Sequence, residues 1–231
     1  MLHLDRVTLT LGGFRLGADW QAAAGQRVAV IGPSGAGKST LLAAIAGFVA
    51  PVAGRLVWQG QDITATAPGG RPVTTLFQDQ NLFPHLTVAQ NLGLGLSPRL
   101  RLTARDHHRI AAALDRTGLG GLGPRRSADL SGGQQGRVAL ARALLRSRPI
   151  LLLDEPFAAL GPALKADMLS LVAEVAQETG ALALLVTHDP ADARRFAPLT
   201  ILVAEGTAHP PAPTGPLLDT PPPALAAYLG L

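Results

Sequence analysis

A chain of 231 residues with 47% hydrophobic and 16% charged residues can bury one substantial core and is too apolar for intrinsic disorder. Its net charge of +4 is carried by scattered arginines, and aromatic residues make up only 4%, so no nucleic acid is expected as a partner. The absence of cysteine excludes disulfides, thiolate nucleophiles and Cys-based metal sites.

The first eleven residues carry Asp5 and Arg6 where a signal peptide needs an apolar core. The chain is therefore expected in the cytoplasm, with any membrane contact made through a partner. Residues 2–11 together with 55–58 predict a small antiparallel β patch. Apolar runs at 27–31, 73–77, 150–153, 182–187 and 199–204 read as buried strands. Helical segments between them predict an α/β fold with a mainly parallel sheet.

The first of these helices is expected at 40–48. Residues 86–127 read as a helical subdomain inserted into the core, with an amphipathic helix at 105–117. A helix over 162–178 carries one apolar stripe through Leu164, Met168, Leu171, Val172 and Val175, and Gly180 stops it. Asp189-Pro190 pairs a capping side chain with proline at the first helical position. The proline-rich stretch 209–223 predicts extended chain, followed by a short helix at 224–229. One domain spans 1–231, with 207–231 as its tail.

Between the apolar run 28–31 and the first helix lies Gly32-Pro33-Ser34-Gly35-Ala36-Gly37-Lys38-Ser39, followed by Thr40. This is G-x-x-x-x-G-K-[ST] in the strand–loop–helix setting that a phosphate-binding loop requires. The glycines let backbone N–H groups turn toward an anion, and the helix N-terminus adds partial positive charge. Lys38 can reach the β- and γ-phosphates, and Ser39 can offer a hydroxyl to Mg²⁺. Lysine occurs elsewhere only at position 165. These residues predict binding of a nucleoside triphosphate.

The run Ile150-Leu151-Leu152-Leu153 ends in Asp154-Glu155-Pro156. A buried strand delivers both carboxylates to the sheet edge where ligands bind in open α/β folds. Asp154 suits Mg²⁺, and Glu155 suits orientation or deprotonation of the attacking water. Leu130-Ser131-Gly132-Gly133-Gln134 opens another helix, and its N-terminus forms either an ordinary cap or a second anion site. A second anion site in one domain makes sense if it serves another subunit's nucleotide.

The ordered set of phosphate loop, Gln78 in Leu76-Phe77-Gln78, LSGGQ, LLLDEP and Thr187-His188-Asp189 resembles the ATP-binding cassette of ABC transporters over nearly the whole chain. The resemblance implies a P-loop ABC cassette, with an antiparallel β subdomain and the inserted helical subdomain. It implies ATP and Mg²⁺ as cofactors. Gln78 would contact Mg²⁺ and the lytic water, and His188 the γ-phosphate. Two copies would sandwich ATP, with Ser131, Gly132, Gly133 and Gln134 completing the partner copy's site.

Arg71-Pro72-Val73, Ala46-Gly47-Phe48 and the stretch from Asn81 to Leu96 resemble importer cassettes, and among these most closely the ATP-binding subunits of bacterial thiamine importers. That resemblance implies transmembrane permease partners, an extracytoplasmic solute-binding protein, and a peripheral position on the cytoplasmic face of the inner membrane. Importer cassettes for ferric iron, sulfate or polyamine, and a soluble cassette acting on nucleic acid, are the alternatives. Two positions depart from the family pattern: Gly161 stands where the family has Asp, and Gly136 replaces a longer polar residue. Leu11 stands near the expected base-stacking position, with Phe14 as the substitute.

Overall fold

Strand β1, Leu2–Leu11, buries Leu2, Leu4, Val7 and Leu9. Strict alternation would turn Arg6 into the core and Val7 out of it. Arg6 instead adopts φ 48°, and the pairing of β1 with both neighbours shifts there. This bulge puts the guanidinium outside and returns the apolar set to the core. A Gly12-Gly13 turn leads into β2, Phe14–Ala22, which buries Leu16, Ala18, Trp20 and Ala22.

The structure, a computed structural model, describes residues 1–77, 79, 81–158 and 160–230. After β2 come β3 (Arg27–Ile31), α1 (Lys38–Ala46), β4 (Ala53–Trp58), β5 (Gln61–Asp62) and β6 (Val73–Leu76). Next are α2 (Val88–Gly93), α3 (Ala104–Arg116), α4 (Gly132–Arg146), β7 (Ile150–Asp154), α5 (Pro162–Thr179) and β8 (Leu182–Val186). The chain ends with α6 (Pro190–Phe196), β9 (Leu199–Ala204), β10 (Thr207–Ala208), β11 (Ala212–Pro213), α7 (Thr214–Asp219) and α8 (Pro223–Leu229). Among the described residues no helix is long and apolar enough to cross a membrane.

Residues 1–75, 148–155 and 176–231 form one compact unit. The sheet runs β5-β4-β1-β2-β10-β9-β3-β8-β7-β6, with β11 against β9. Strands β9, β3, β8 and β7 are parallel, whereas β1, β2, β4 and β5 pair antiparallel. The parallel strands are apolar along their whole length because both faces are covered.

Arg71 is almost completely buried in this unit, with no carboxylate partner among the described residues. Its Nη1 donates to Ala44 O at 2.7 Å and Ile45 O at 2.9 Å, at the C-terminal end of α1. Its Nε and Nη2 donate to Thr66 O and Thr64 O, each at 2.9 Å. The guanidinium adds donors to the helix-end carbonyls, where Ala44 O also accepts from Gly47 N at 3.1 Å, and its charge complements the helix dipole.

The second unit comprises residues 76–147 and 156–175. Its core gathers Val88, Leu92, Ile110, Leu114, Leu119, Val138, Ala141 and Leu145 from α2, α3 and α4. All three helices open on reciprocal capping boxes, at Thr87, Thr103 and Ser131. Buried Asn91 receives Phe83 N at 2.9 Å and donates to Phe83 O at 3.0 Å and Ser127 Oγ at 3.2 Å, tying down the loop before α2.

Two local expectations are corrected. The first helix starts at Lys38 and stops at Ala46, because left-handed Gly37 and Gly47 cap it. The proline-rich tail folds into α7 at Thr214–Asp219, where Leu218 and Thr214 find buried positions.

Candidate functional site

The parallel register decides which residues meet. Val30 on β3 lies opposite Val186 on β8, and Val186 lies opposite Asp154 on β7. The chain leaves these strands at one edge, as the phosphate loop, as Glu155, and as Thr187-His188. Ligands bind at such C-terminal edges in open α/β sheets.

The loop's close approach to its surroundings accounts for two glycines. Gly32 has φ 149°, and a Cβ there would lie 2.0 Å from Val203 O. Gly37 has φ 99°, and a Cβ would lie 2.5 Å from the Phe14 ring. Any side chain at either position would displace backbone or an aromatic ring. Lys38 begins α1 nearly buried, and its Nζ donates to Gly32 O at 2.8 Å and Pro33 O at 2.9 Å. Burial lowers its pKa, while the charges of Glu155 and Asp154 oppose that shift.

Ser39 Oγ donates to Asp154 Oδ1 at 3.1 Å. Burial raises the Asp154 pKa against the effect of the Ser39 hydrogen bond, and the neighbouring Glu155 charge adds to the rise while Lys38 opposes it. Glu155 sits in the left-handed region at φ 45°, an uncommon conformation for a non-glycine residue that costs energy and gathers at functional sites. Its N–H donates to Val186 O at 3.2 Å, and its Oε2 lies 3.4 Å from Nδ1 of His188.

The His188 turn is fastened from inside. Buried Thr187 donates its N–H to Val30 O at 3.2 Å and its hydroxyl to Asp192 Oδ2 at 2.9 Å. The Thr187 hydroxyl also accepts from Asp189 N at 3.1 Å, and Asp189 caps α6 by accepting from Ala191 N at 2.9 Å.

The structure thus gathers Lys38, Ser39, Asp154, Glu155 and His188 within the first unit. Gln78 lies outside the described residues. Ser131, Gly132, Gly133 and Gln134 lie in the second unit, where Ser131 Oγ accepts from Gln134 N at 3.3 Å and Gln134 Oε1 accepts from Ser131 N at 3.0 Å. Leu11 is 59% exposed at the end of β1, whereas Phe14 packs against Gly37 beneath the phosphate loop. One residue near the site carried no sequence signal: the hydroxyl of Tyr228, in α8, donates to His188 O at 3.0 Å.

The ABC transporter family profile matches residues 17–158. The chain is 68% identical to the Thiamine import ATP-binding protein ThiQ of Cereibacter sphaeroides over 230 residues, covering 100% of both chains. It is 59% identical to the protein of the same name from a Ruegeria species over 230 residues, again covering both completely. Among solved structures, the dimeric post-hydrolysis ATP-binding cassette MJ0796 bound to ADP and Pi aligns with a TM-score of 0.80 at 29% identity, covering 93% of this chain and 99% of that one. A nucleotide-free ATP-binding cassette shares the fold with a TM-score of 0.86 at 24% identity, covering 100% and 99%. The chain belongs to the ABC transporter family, as one of its ATP-binding cassettes.

Proposed function

We propose that this chain is the ATP-binding and ATP-hydrolysing subunit of an importer whose solute is thiamine, seated peripherally on the cytoplasmic face of the bacterial inner membrane. Full-length relatives named for thiamine import support the solute. The observation that carries the catalytic reading is the meeting of Lys38, Ser39, Asp154, Glu155 and His188 at one sheet edge.

The loop from Gly32 to Gly37 presents its N–H groups to the β- and γ-phosphates, with Thr40 in the first turn behind it. Lys38 exchanges the Gly32 and Pro33 carbonyls for phosphate oxygens. The Ser39 hydroxyl and the Asp154 carboxylate are two oxygen donors at 3.1 Å, and burial there makes an unneutralised carboxylate costly. That donor set fits a hard divalent cation, and Ser39, Asp154 and Gln78 would hold Mg²⁺. Bound there, the ion neutralises charge on the phosphate oxygens.

Glu155 accepts the proton of a water whose oxygen attacks the γ-phosphorus. The bond to the ADP oxygen breaks, and ADP and inorganic phosphate leave. His188, held against Glu155, contacts a γ-phosphate oxygen, and Gln78 orients the water. Each preorganised group of this kind is worth about 10²–10³ in rate. Ser131, Gly132, Gly133 and Gln134 cover the ATP of a second copy, and dimeric relatives support that pairing. The segment from Asn81 to Leu96 meets the permease, and exposed Phe83 offers an apolar contact there. A solute-binding protein engages the permease from outside.

The test is reconstitution with a thiamine-importer permease and its solute-binding protein. Thiamine should stimulate ATP hydrolysis, and Glu155→Gln should abolish phosphate release while leaving ATP bound to a paired cassette. Stimulation by ferric iron, sulfate or a polyamine but not by thiamine overturns the solute assignment. Undiminished phosphate release from Glu155→Gln overturns the role of Glu155.

A further inference from the structure

The chain's one tyrosine, Tyr228, stands three residues before its end. Its hydroxyl donates to the carbonyl oxygen of His188 at 3.0 Å, across 40 residues of sequence. The same tail grips the residues after His188 at two further points. Thr214 Oγ1 donates to Ala197 O at 2.8 Å and lies 2.8 Å from Thr200 Oγ1, both contacts being buried. Arg194 on α6 forms an ion pair with Asp219 at the end of α7. The turn bearing His188, helix α6 and the start of β9 are therefore bracketed by one strap, residues 214–228.

The His188 imidazole is exposed and meets Glu155 at 3.4 Å, which is long for a hydrogen bond. Its aim toward Glu155 therefore depends on the backbone that carries it. The Thr187 N–H, one peptide earlier, donates to Val30 O, and the Tyr228 hydroxyl holds the peptide that follows His188. Burial, with the charges of Glu155 and Asp189, raises the phenol's pKa above 10.0, so Tyr228 stays a donor at neutral pH.

We propose that Tyr228 is a positioning residue for hydrolysis: its hydroxyl fixes the His188 peptide and so aims the imidazole at Glu155 and the γ-phosphate. This rests on the reading of His188 given above. Tyr228 acts through the histidine, by way of its carbonyl oxygen. The strap makes the end of the chain part of the catalytic apparatus.

Steady-state ATPase measurements on the reconstituted transporter test it. Tyr228→Phe keeps the ring and removes one hydrogen bond, so kcat should fall about threefold to tenfold. KM for ATP should stay at its wild-type value, and the thermal midpoint of the isolated cassette should fall by no more than about 5 °C. In a His188→Ala background the same substitution should change kcat by less than about 1.5-fold, because residues that act as one unit are not additive. Wild-type kcat in Tyr228→Phe overturns the proposal, as does an equal loss in both backgrounds or a loss that appears in KM. Full turnover in His188→Ala overturns the histidine's role and this one with it. A slow His188→Ala beside an unimpaired Tyr228→Phe overturns that of Tyr228 alone.

Discussion

The Ser39 hydroxyl donates to Asp154 Oδ1 across 3.1 Å, joining two residues 115 positions apart in the chain. One stands in the first turn of α1 and the other ends β7, so each is placed by its own regular element. Groups held in this way need little reorganisation when charge develops, which is where preorganised sites gain their rate.

Asp154 also costs stability. Its pKa is raised above 3.8, chiefly by burial, so the folded chain holds this proton more tightly than the unfolded chain does. The resulting stabilisation is complete below the unfolded value and is lost as pH rises through the folded pKa. Asp154→Asn should therefore raise the thermal midpoint of the nucleotide-free chain at pH 7. It should also abolish hydrolysis. Calorimetry across acid and neutral pH checks this, and a lowered midpoint at pH 7 would contradict it.

Arg71→Ala should destabilise the chain by about 2–4 kcal/mol, because it removes four hydrogen bonds to backbone carbonyls, two buried and two part-buried, and leaves a cavity. Arg71→Lys should recover less than half of that, since an ammonium cannot span the fork of acceptors. Denaturant titration gives both values. Near-complete rescue by lysine would show that charge alone matters there.

Gly161→Asp should be tolerated. A Cβ at this exposed position meets nothing within 4 Å, and its backbone lies outside the left-handed region. A carboxylate just before α5 should add a few tenths of a kcal/mol through capping and the helix dipole. Unfolding midpoints check the sign, and a loss above about 1 kcal/mol would refute it.

Glu155→Gly should separate strain from chemistry. Glycine accepts φ 45° without penalty, so the variant should be up to about 1 kcal/mol more stable than the parent while hydrolysing no ATP. A stability equal to that of Glu155→Gln would mean the left-handed turn stores no energy.

The parallel core was the most legible part of the chain. Strands β3 and β9 begin and end where their apolar runs do, because turn-forming residues bound strands covered on both faces. Strand β2 was harder to read. Its apolar set Leu16, Ala18, Trp20 and Ala22 alternates with Arg15, Asp19 and Gln21, so no continuous run marks it. Helix α7 was hidden by its prolines, although Pro213 and Pro216 fall before and within its first turn, where a missing N–H costs nothing. The phosphate loop and Asp154-Glu155 were legible because their chemistry demands local spacing. The bond from Tyr228 to His188 was not, because it exists only once the tail has folded back across the sheet edge.

Helix α1 is gripped at both ends, by phosphate-loop glycines at its start and by Arg71 at its finish. The chain then runs from Arg71 directly through β6 toward Gln78. The acceptors at Thr64 and Thr66 are main-chain oxygens, so of the side chains in this stretch it is Arg71 on which the anchoring of the far end of α1 turns.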